Sequence, residues 1–77
     1  MRPFGARRDR LRALLAGAGV DALLVTALVD VRYLSGFTGS NAALLVAADG
    51  DARTRFCTDG RYVTQSAEEV PDLETVV

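Results

Sequence analysis

The chain has 77 residues, of which 49% are hydrophobic, and a formal net charge of −1 at pH 7. This length allows one small domain with a packed core, and the near-neutral charge excludes a global attraction for nucleic acid or acidic membranes. The chain contains no histidine and one cysteine, which excludes a disulfide framework and any histidine-based catalytic triad.

The first predicted element is a helix over about residues 5–18. Its apolar residues follow the i, i+3, i+4, i+7 spacing of a helix with one buried face. They are Leu11, Leu14, Leu15 and Ala18. Gly19 follows in the position of a left-handed C-terminal cap. The arginines of this helix fan out around the apolar stripe, so we expect a solvated helix end and no nucleic-acid patch. They are Arg7, Arg8, Arg10 and Arg12.

A targeting signal is not predicted. Arg7 and Arg8 precede the apolar stretch 14–20, which superficially resembles a signal peptide, but Arg12 and Asp21 interrupt it. No apolar run approaches the roughly 18–20 residues of a membrane span. We therefore expect a cytoplasmic protein without membrane contacts.

Three strands are predicted in the middle of the chain. The first, over residues 21–26, is apolar without alternation, which indicates cover on both faces. The second and third, over about 42–48 and 53–58, are joined by a hairpin turn at Asp49-Gly50-Asp51. We expect both aspartates of this turn to be solvated.

Two further helical segments and a last strand complete the prediction. Asp30 is expected to cap a short helical turn over 31–34, and Asp59 to cap a helix that Pro71 ends. In that helix Val63, Ala67 and Val70 are expected to share one face. A strand over 73–77 follows, and its open edge leads us to expect a neighbouring chain or a longer parent protein.

The predicted order α-β-β-β-α-β indicates an α/β domain with a mixed β-sheet flanked by helices. The glycine-bracketed loop over 36–41 is not a phosphate-binding loop, because it has no lysine and leads into a strand. Two interpretations of this loop stay open. It is either a structural tight loop or a loop that presents polar groups to a neighbouring site.

Four segments in this order resemble one family. They are Asp30–Phe37, Gly39–Asn41, Thr58–Tyr62 and Gln65–Glu69. Together they are similar to the amino-terminal, creatinase-type domain of the Xaa-Pro aminopeptidase and prolidase metallopeptidases. The resemblance implies that residues 1–77 are a partial, non-catalytic domain, truncated relative to the family domain. Catalysis would lie in a separate carboxy-terminal domain with a divalent metal pair of manganese, cobalt or zinc, whose ligands have no counterpart here.

The resemblance also implies roles for this domain. We expect it to support a homo-oligomer and to wall the active site, where a peptide substrate would bind only through the catalytic domain. The expected substrate-access loop comprises Phe37, Gly39, Ser40 and Asn41. Two alternatives remain at this point. They are a non-catalytic protein-binding module of a peptidase-like protein and a free-standing small α/β interaction domain.

Overall fold

The computed structural model describes residues 2–77 and shows a four-stranded mixed sheet with three α-helices in that range. In chain order the elements are α1 (Phe4–Gly17), β1 (Ala22–Val25), α2 (Leu28–Ser35), β2 (Ala42–Ala47), β3 (Arg55–Thr58), a 3₁₀ turn (Gly60–Tyr62), α3 (Val63–Glu69) and β4 (Glu74–Val76). The strands lie in the order β1-β2-β3-β4. The first two pairings are antiparallel and the third is parallel. The predicted α/β class with a mixed sheet is confirmed.

The core lies between the helices and one face of the sheet. Val25, Leu44, Val46 and Phe56 point to this face and are buried. They pack with apolar side chains of the helices and of the segment before β4, which are Leu15, Val31, Leu34, Val70 and Leu73. None of the helices in residues 2–77 is long and apolar enough to cross a lipid bilayer.

The first strand differs from its prediction. β1 is an edge strand over Ala22–Val25 that pairs only with β2, and Leu23 and Leu24 are 40% and 60% exposed. The expected cover on both faces is therefore wrong. A continuous apolar run has the same pattern in a central strand and in an edge strand, so the sequence alone does not separate the two.

The buried face of α1 also differs from its prediction. Leu15 is buried, but Leu14 is 72% exposed, whereas Arg8 is fully buried and Arg12 is 8% exposed. Residues 8, 12 and 15 themselves follow the i, i+4, i+7 spacing, so the buried stripe begins with two arginines. The helix ends as predicted, since Gly19 and Val20 donate their amides to Ala16 and Leu15 in a Schellman motif.

Arg8 is held by two carboxylates from distant parts of the chain. Its Nε and Nη2 donate to both oxygens of Asp51 at 3.0 Å, and Nη2 also donates to Asp72 at 2.6 Å. Nη1 donates to the carbonyl of Leu34 at 2.8 Å. Burial lowers the pKa of Arg8, but its hydrogen bonds to Asp51 and Asp72 outweigh this effect and raise it. Arg8 therefore remains charged and joins α1 to the β2–β3 turn, to α2 and to the segment before β4.

Arg12 extends this buried charge cluster. It donates from Nε to the carbonyl of Ala47 at 2.8 Å and from Nη2 to Thr54 Oγ1 at 2.8 Å. It also pairs with Asp9 at 2.9 Å and with Asp51. The expectation that Asp51 is a solvated turn residue is therefore wrong, because both arginines bind its carboxylate.

Two helical segments need smaller corrections. The turn predicted over 31–34 is the helix α2, and Asp30 lies inside its first turn and makes no capping bond. In α3, Val63 is 50% exposed and Ala67 is exposed, while Ser66 and Val70 are buried. Residues 66 and 70 follow the i, i+4 spacing, so the buried face runs through Ser66 and Val70 instead of Val63 and Ala67. As predicted, α3 ends before Pro71.

Candidate functional site

The loop over 36–41 and the segment 58–62 are distant in the sequence and meet in the structure. The Phe37 ring lies 4.8 Å from the Phe56 ring and 5.3 Å from the Tyr62 ring, the second contact being edge-to-face. Phe37 is 1% exposed. Aromatic contacts of this kind contribute about 0.5–1.5 kcal/mol beyond the burial of area. Phe37 therefore fixes the loop to the core and does not present its side chain to a ligand.

The two glycines of this loop are required by its geometry. Gly36 has a φ of +86°, the left-handed conformation that ends α2. A Cβ on Gly39 would lie 2.3 Å from the Phe37 ring and 2.9 Å from the Tyr62 ring. A side chain at position 39 would therefore push the two rings apart. The glycine pattern is explained by packing, as the tight-loop interpretation predicts.

The polar groups of the loop are bound by the turn and helix that follow β3. The Ser40 hydroxyl lies 2.5 Å from the Tyr62 hydroxyl, and this hydrogen bond lowers the pKa of Tyr62. The Thr38 amide donates to Glu69 Oε1 at 2.9 Å, and the Thr38 hydroxyl donates to Glu69 Oε2 at 2.9 Å. Gln65 donates to both Thr38 and Glu69 at 3.1 Å. The loop is thus held at several points along its length.

Asp59 forms the last link between the two segments. Its carboxylate accepts from the Arg61 amide at 2.9 Å, from Arg61 Nε at 3.0 Å and from Arg61 Nη2 at 2.8 Å. It also accepts from Asn41 Nδ2 at 2.7 Å. The hydrogen bonds from Arg61, and secondly that from Asn41, hold the pKa of Asp59 far below its usual value. The predicted cap is confirmed, and Arg61 forms an ion pair with Asp59.

Asp59 is unsuited to proton transfer at neutral pH. Its carboxylate is ionised and already accepts four hydrogen bonds, so it cannot act as a general acid near pH 7. Within residues 2–77 no group of three or more histidine, cysteine, aspartate or glutamate side chains is placed to hold a metal ion. The exposed side chains of this site, Ser40 and Asn41, carry hydrogen-bonding groups.

The four predicted loop residues fall into two classes. Phe37 is buried and Gly39 is half-buried, while Ser40 and Asn41 are exposed. Any contact with a ligand through a side chain therefore falls to Ser40 and Asn41. Sequence reasoning did not identify the residues that hold them. The partner of Ser40 is Tyr62 and the partner of Asn41 is Asp59, and the proximity of the two motifs was the missing information.

We expect acid to weaken the attachment of the loop. The folded-state pKa of Asp59 is below that of the unfolded chain, about 3.9 for an aspartate. Its stabilising contribution is therefore complete above that value and is lost as the pH falls through the folded-state pKa. In urea unfolding between pH 7 and pH 3, Asp59→Asn should show a shallower loss of stability than the unmodified chain. Asp49→Asn, at an exposed aspartate, should show the same dependence of the unfolding free energy on pH as the unmodified chain. If the unfolding free energy depends on pH equally in all three chains, ionised Asp59 does not stabilise the fold.

Comparison with known proteins shows which family the sequence and the fold match. The family model for the creatinase/prolidase N-terminal domain matches residues 7–77. A curated relative, an uncharacterised peptidase named YqhT from Bacillus subtilis (strain 168), is 35% identical over 68 residues. That match covers 88% of this chain and 18% of the relative.

Two solved structures are similar over almost the whole chain. The first is the N-terminal creatinase/prolidase-like domain of a candidate metallopeptidase from Corynebacterium diphtheriae, with 54% identity and a TM-score of 0.92 over 99% of this chain. The second is the N-terminal domain of the cytoplasmic peptidase PepQ from Mycobacterium tuberculosis H37Rv, with 55% identity and a TM-score of 0.89 over 95% of this chain. This chain spans 60% and 55% of those two domain structures. An Xaa-Pro dipeptidase from Bacillus anthracis is 34% identical, with a TM-score of 0.82 over 92% of this chain, which spans 19% of it.

Proposed function

The chain belongs to the family of creatinase/prolidase N-terminal domains, and from this premise we propose that it serves as the non-catalytic N-terminal domain of a proline-specific metallopeptidase. The observation that carries the proposal is the 54% identity, at a TM-score of 0.92, to an N-terminal domain of this type. Relatives described as Xaa-Pro aminopeptidases and an Xaa-Pro dipeptidase share the same fold with this chain. The substrate class that follows is short peptides with an Xaa-Pro bond.

The chemistry of such an enzyme would be supplied by another domain. A divalent metal pair of manganese, cobalt or zinc would activate the water that hydrolyses the peptide. The residues described here do not fit that metal pair, because they contain no group of three suitable ligands. The contribution of this chain is therefore to binding, access and assembly. Its exposed edge strand β1 is consistent with assembly into a homo-oligomer, and cytoplasmic location is part of the same proposal, as described for the PepQ relative.

The loop over 36–41 is the part of the domain best suited to wall an active site. It is anchored by Phe37 and by hydrogen bonds from Thr38 to Glu69 and between Ser40 and Tyr62. A wall needs a fixed position, since a mobile loop would lose conformational freedom whenever substrate binds. The exposed side chains of Ser40 and Asn41 then form the surface that a peptide would meet.

We expect loop variants to change substrate binding more than the chemical step. In the full-length protein, the double variant Ser40→Ala, Asn41→Ala should raise KM for Xaa-Pro peptides by about threefold to tenfold, because one or two hydrogen bonds are lost, and should leave kcat nearly unchanged. Thr64→Ala, at an exposed position of α3, is the matched control. The wall role is contradicted if the double variant and the control share the same KM.

A further inference from the structure

The hydrogen bond between Asn41 and Asp59 fixes the orientation of the Asn41 amide. The carboxylate of Asp59 has only acceptor oxygens, so the amide must turn its NH₂ group toward it, at 2.7 Å. The reverse orientation would place two acceptors in contact. The carbonyl oxygen Oδ1 of Asn41 is consequently directed away from Asp59. Among the residues that the structure describes, no hydrogen bond is made to this oxygen.

Asn41 is exposed and lies beside an open groove of about 420 Å³. The groove is lined by Thr26, Asn41, Ala42, Ala43, Cys57 and Thr58. Asp59 is not among these lining residues, and it engages the Asn41 Nδ2, which leaves Oδ1 as the free acceptor of the Asn41 side chain. The backbone carbonyl of Asn41 is fixed as well, because it accepts from the Thr58 hydroxyl at 2.6 Å. The site therefore offers one oriented acceptor beside a floor of small side chains.

Asp59 is itself held rigidly. Arg61 binds both of its oxygens, with distances of 3.0 Å to Oδ1 and 2.8 Å to Oδ2. The carboxylate also caps the 3₁₀ turn through the Arg61 amide. The position of the Asn41 side chain is thus determined by an ion pair that does not need to contact any ligand.

From this geometry we infer that Asp59 is a positioning residue, which holds Asn41 so that its Oδ1 accepts a hydrogen bond from an N–H group of the peptide substrate. The inference rests on the proposed function and adds to it the chemical nature of the contact, namely a donor on the substrate and an uncharged acceptor on the protein. A peptide amide or a terminal ammonium supplies such a donor. The small side chains of Ala42 and Ala43 leave room for the apolar part of the same peptide.

The test exchanges the two side chains that share the hydrogen bond. In Asp59→Asn the amide at position 59 still caps the turn, since asparagine caps as well as aspartate does. Its NH₂ group then faces both Arg61 Nη2 and Asn41, so the Arg61 Nη2 contact is lost in both variants and Asn41 must rotate and present its own NH₂ outward. In the double variant Asn41→Asp, Asp59→Asn, a carboxylate at position 41 accepts from position 59 and again presents an oxygen outward.

The expected results are measured as KM and kcat of the full-length protein on an Xaa-Pro dipeptide. Asp59→Asn should raise KM about threefold to tenfold with kcat unchanged, which corresponds to the loss of one hydrogen bond. The double variant should recover most of that loss. Asp49→Asn serves as the control for removing one negative charge, and thermal unfolding verifies that every variant is folded.

The outcomes separate this inference from the proposed function. If the unmodified full-length protein hydrolyses the dipeptide and Asp59→Asn has the same KM, the inference is overturned and the proposed function stands. If the double variant restores stability but KM never changes, Asp59 has a structural role only, which also overturns the inference. If the unmodified protein hydrolyses no Xaa-Pro peptide with any of the three metals, the proposed function and the inference fail together.

Discussion

Replacing Arg8 with methionine will lower the free energy of unfolding by about 3 kcal/mol. Removal of one partner from a buried ion pair typically costs about 3–5 kcal/mol, because the remaining charges lose their compensation. We expect the lower end because Asp51 and Asp72 keep side-chain exposures of 38% and 33%, so water can solvate them. A domain of this size has a total stability of about 4–12 kcal/mol. The loss should therefore be evident as a large drop in the urea midpoint at pH 7.

Arg53→Met is the matched control for this prediction. Arg53 also pairs with an aspartate, Asp49 at 3.4 Å, but its side chain is 78% exposed. Exposed ion pairs contribute about 0–1 kcal/mol, so this variant should unfold close to the unmodified chain. Equal urea midpoints for Arg8→Met and Arg53→Met would show that the buried charge cluster does not stabilise the fold.

Replacing Phe37 with alanine should destabilise the domain by about 3–5 kcal/mol, the usual cost of deleting a buried aromatic ring. The ring contacts Phe56 and Tyr62, so its removal leaves a cavity at the point where the loop is fixed to the core. Denaturant unfolding measures the loss of stability, and hydrogen exchange of the Ser40 amide reports local opening of the loop. We expect faster exchange at that amide, because its hydrogen bond to the Tyr62 hydroxyl depends on the same ring contact.

Two variants calibrate this result. Phe37→Leu retains most of the buried volume and should cost less than the alanine variant. Leu14→Ala removes a side chain that is 72% exposed and should change stability by no more than about 0.5 kcal/mol. Similar losses in Phe37→Ala and Leu14→Ala would contradict the placement of Phe37 in the core.

The elements and the loop were predictable from the sequence because their signals are local. The glycines of the 36–41 loop, the cap at Asp59 and the stop at Pro71 each act within a few residues, and the structure has them where they were expected. The resemblance to the peptidase family rested on the same segments. Local signals were thus sufficient for the class of fold and for the family.

The errors concern interactions between residues that are distant in the sequence. The charge of the buried Arg8 is compensated by Asp51 and Asp72, which are 43 and 64 positions away. A helix pattern alone favours leucine over arginine on the buried face. The buried face of α1 was therefore predicted to contain Leu14 and not Arg8. The burial of Phe37 was not predicted for the same reason, because its partner Tyr62 lies in another motif. The exposed part of the loop, Ser40 and Asn41, could be identified only after both motifs were placed in space.

The most direct test of the central claim is metal-dependent hydrolysis of Xaa-Pro dipeptides by the full-length protein, measured beside the 77-residue chain. We predict hydrolysis by the full-length protein with manganese, cobalt or zinc, loss of that activity with a chelator, and no hydrolysis by the 77-residue chain under the same conditions. Hydrolysis by the 77-residue chain alone would contradict its non-catalytic role. A folded, metal-loaded full-length protein without activity on any Xaa-Pro peptide would contradict the assignment to a proline-specific peptidase.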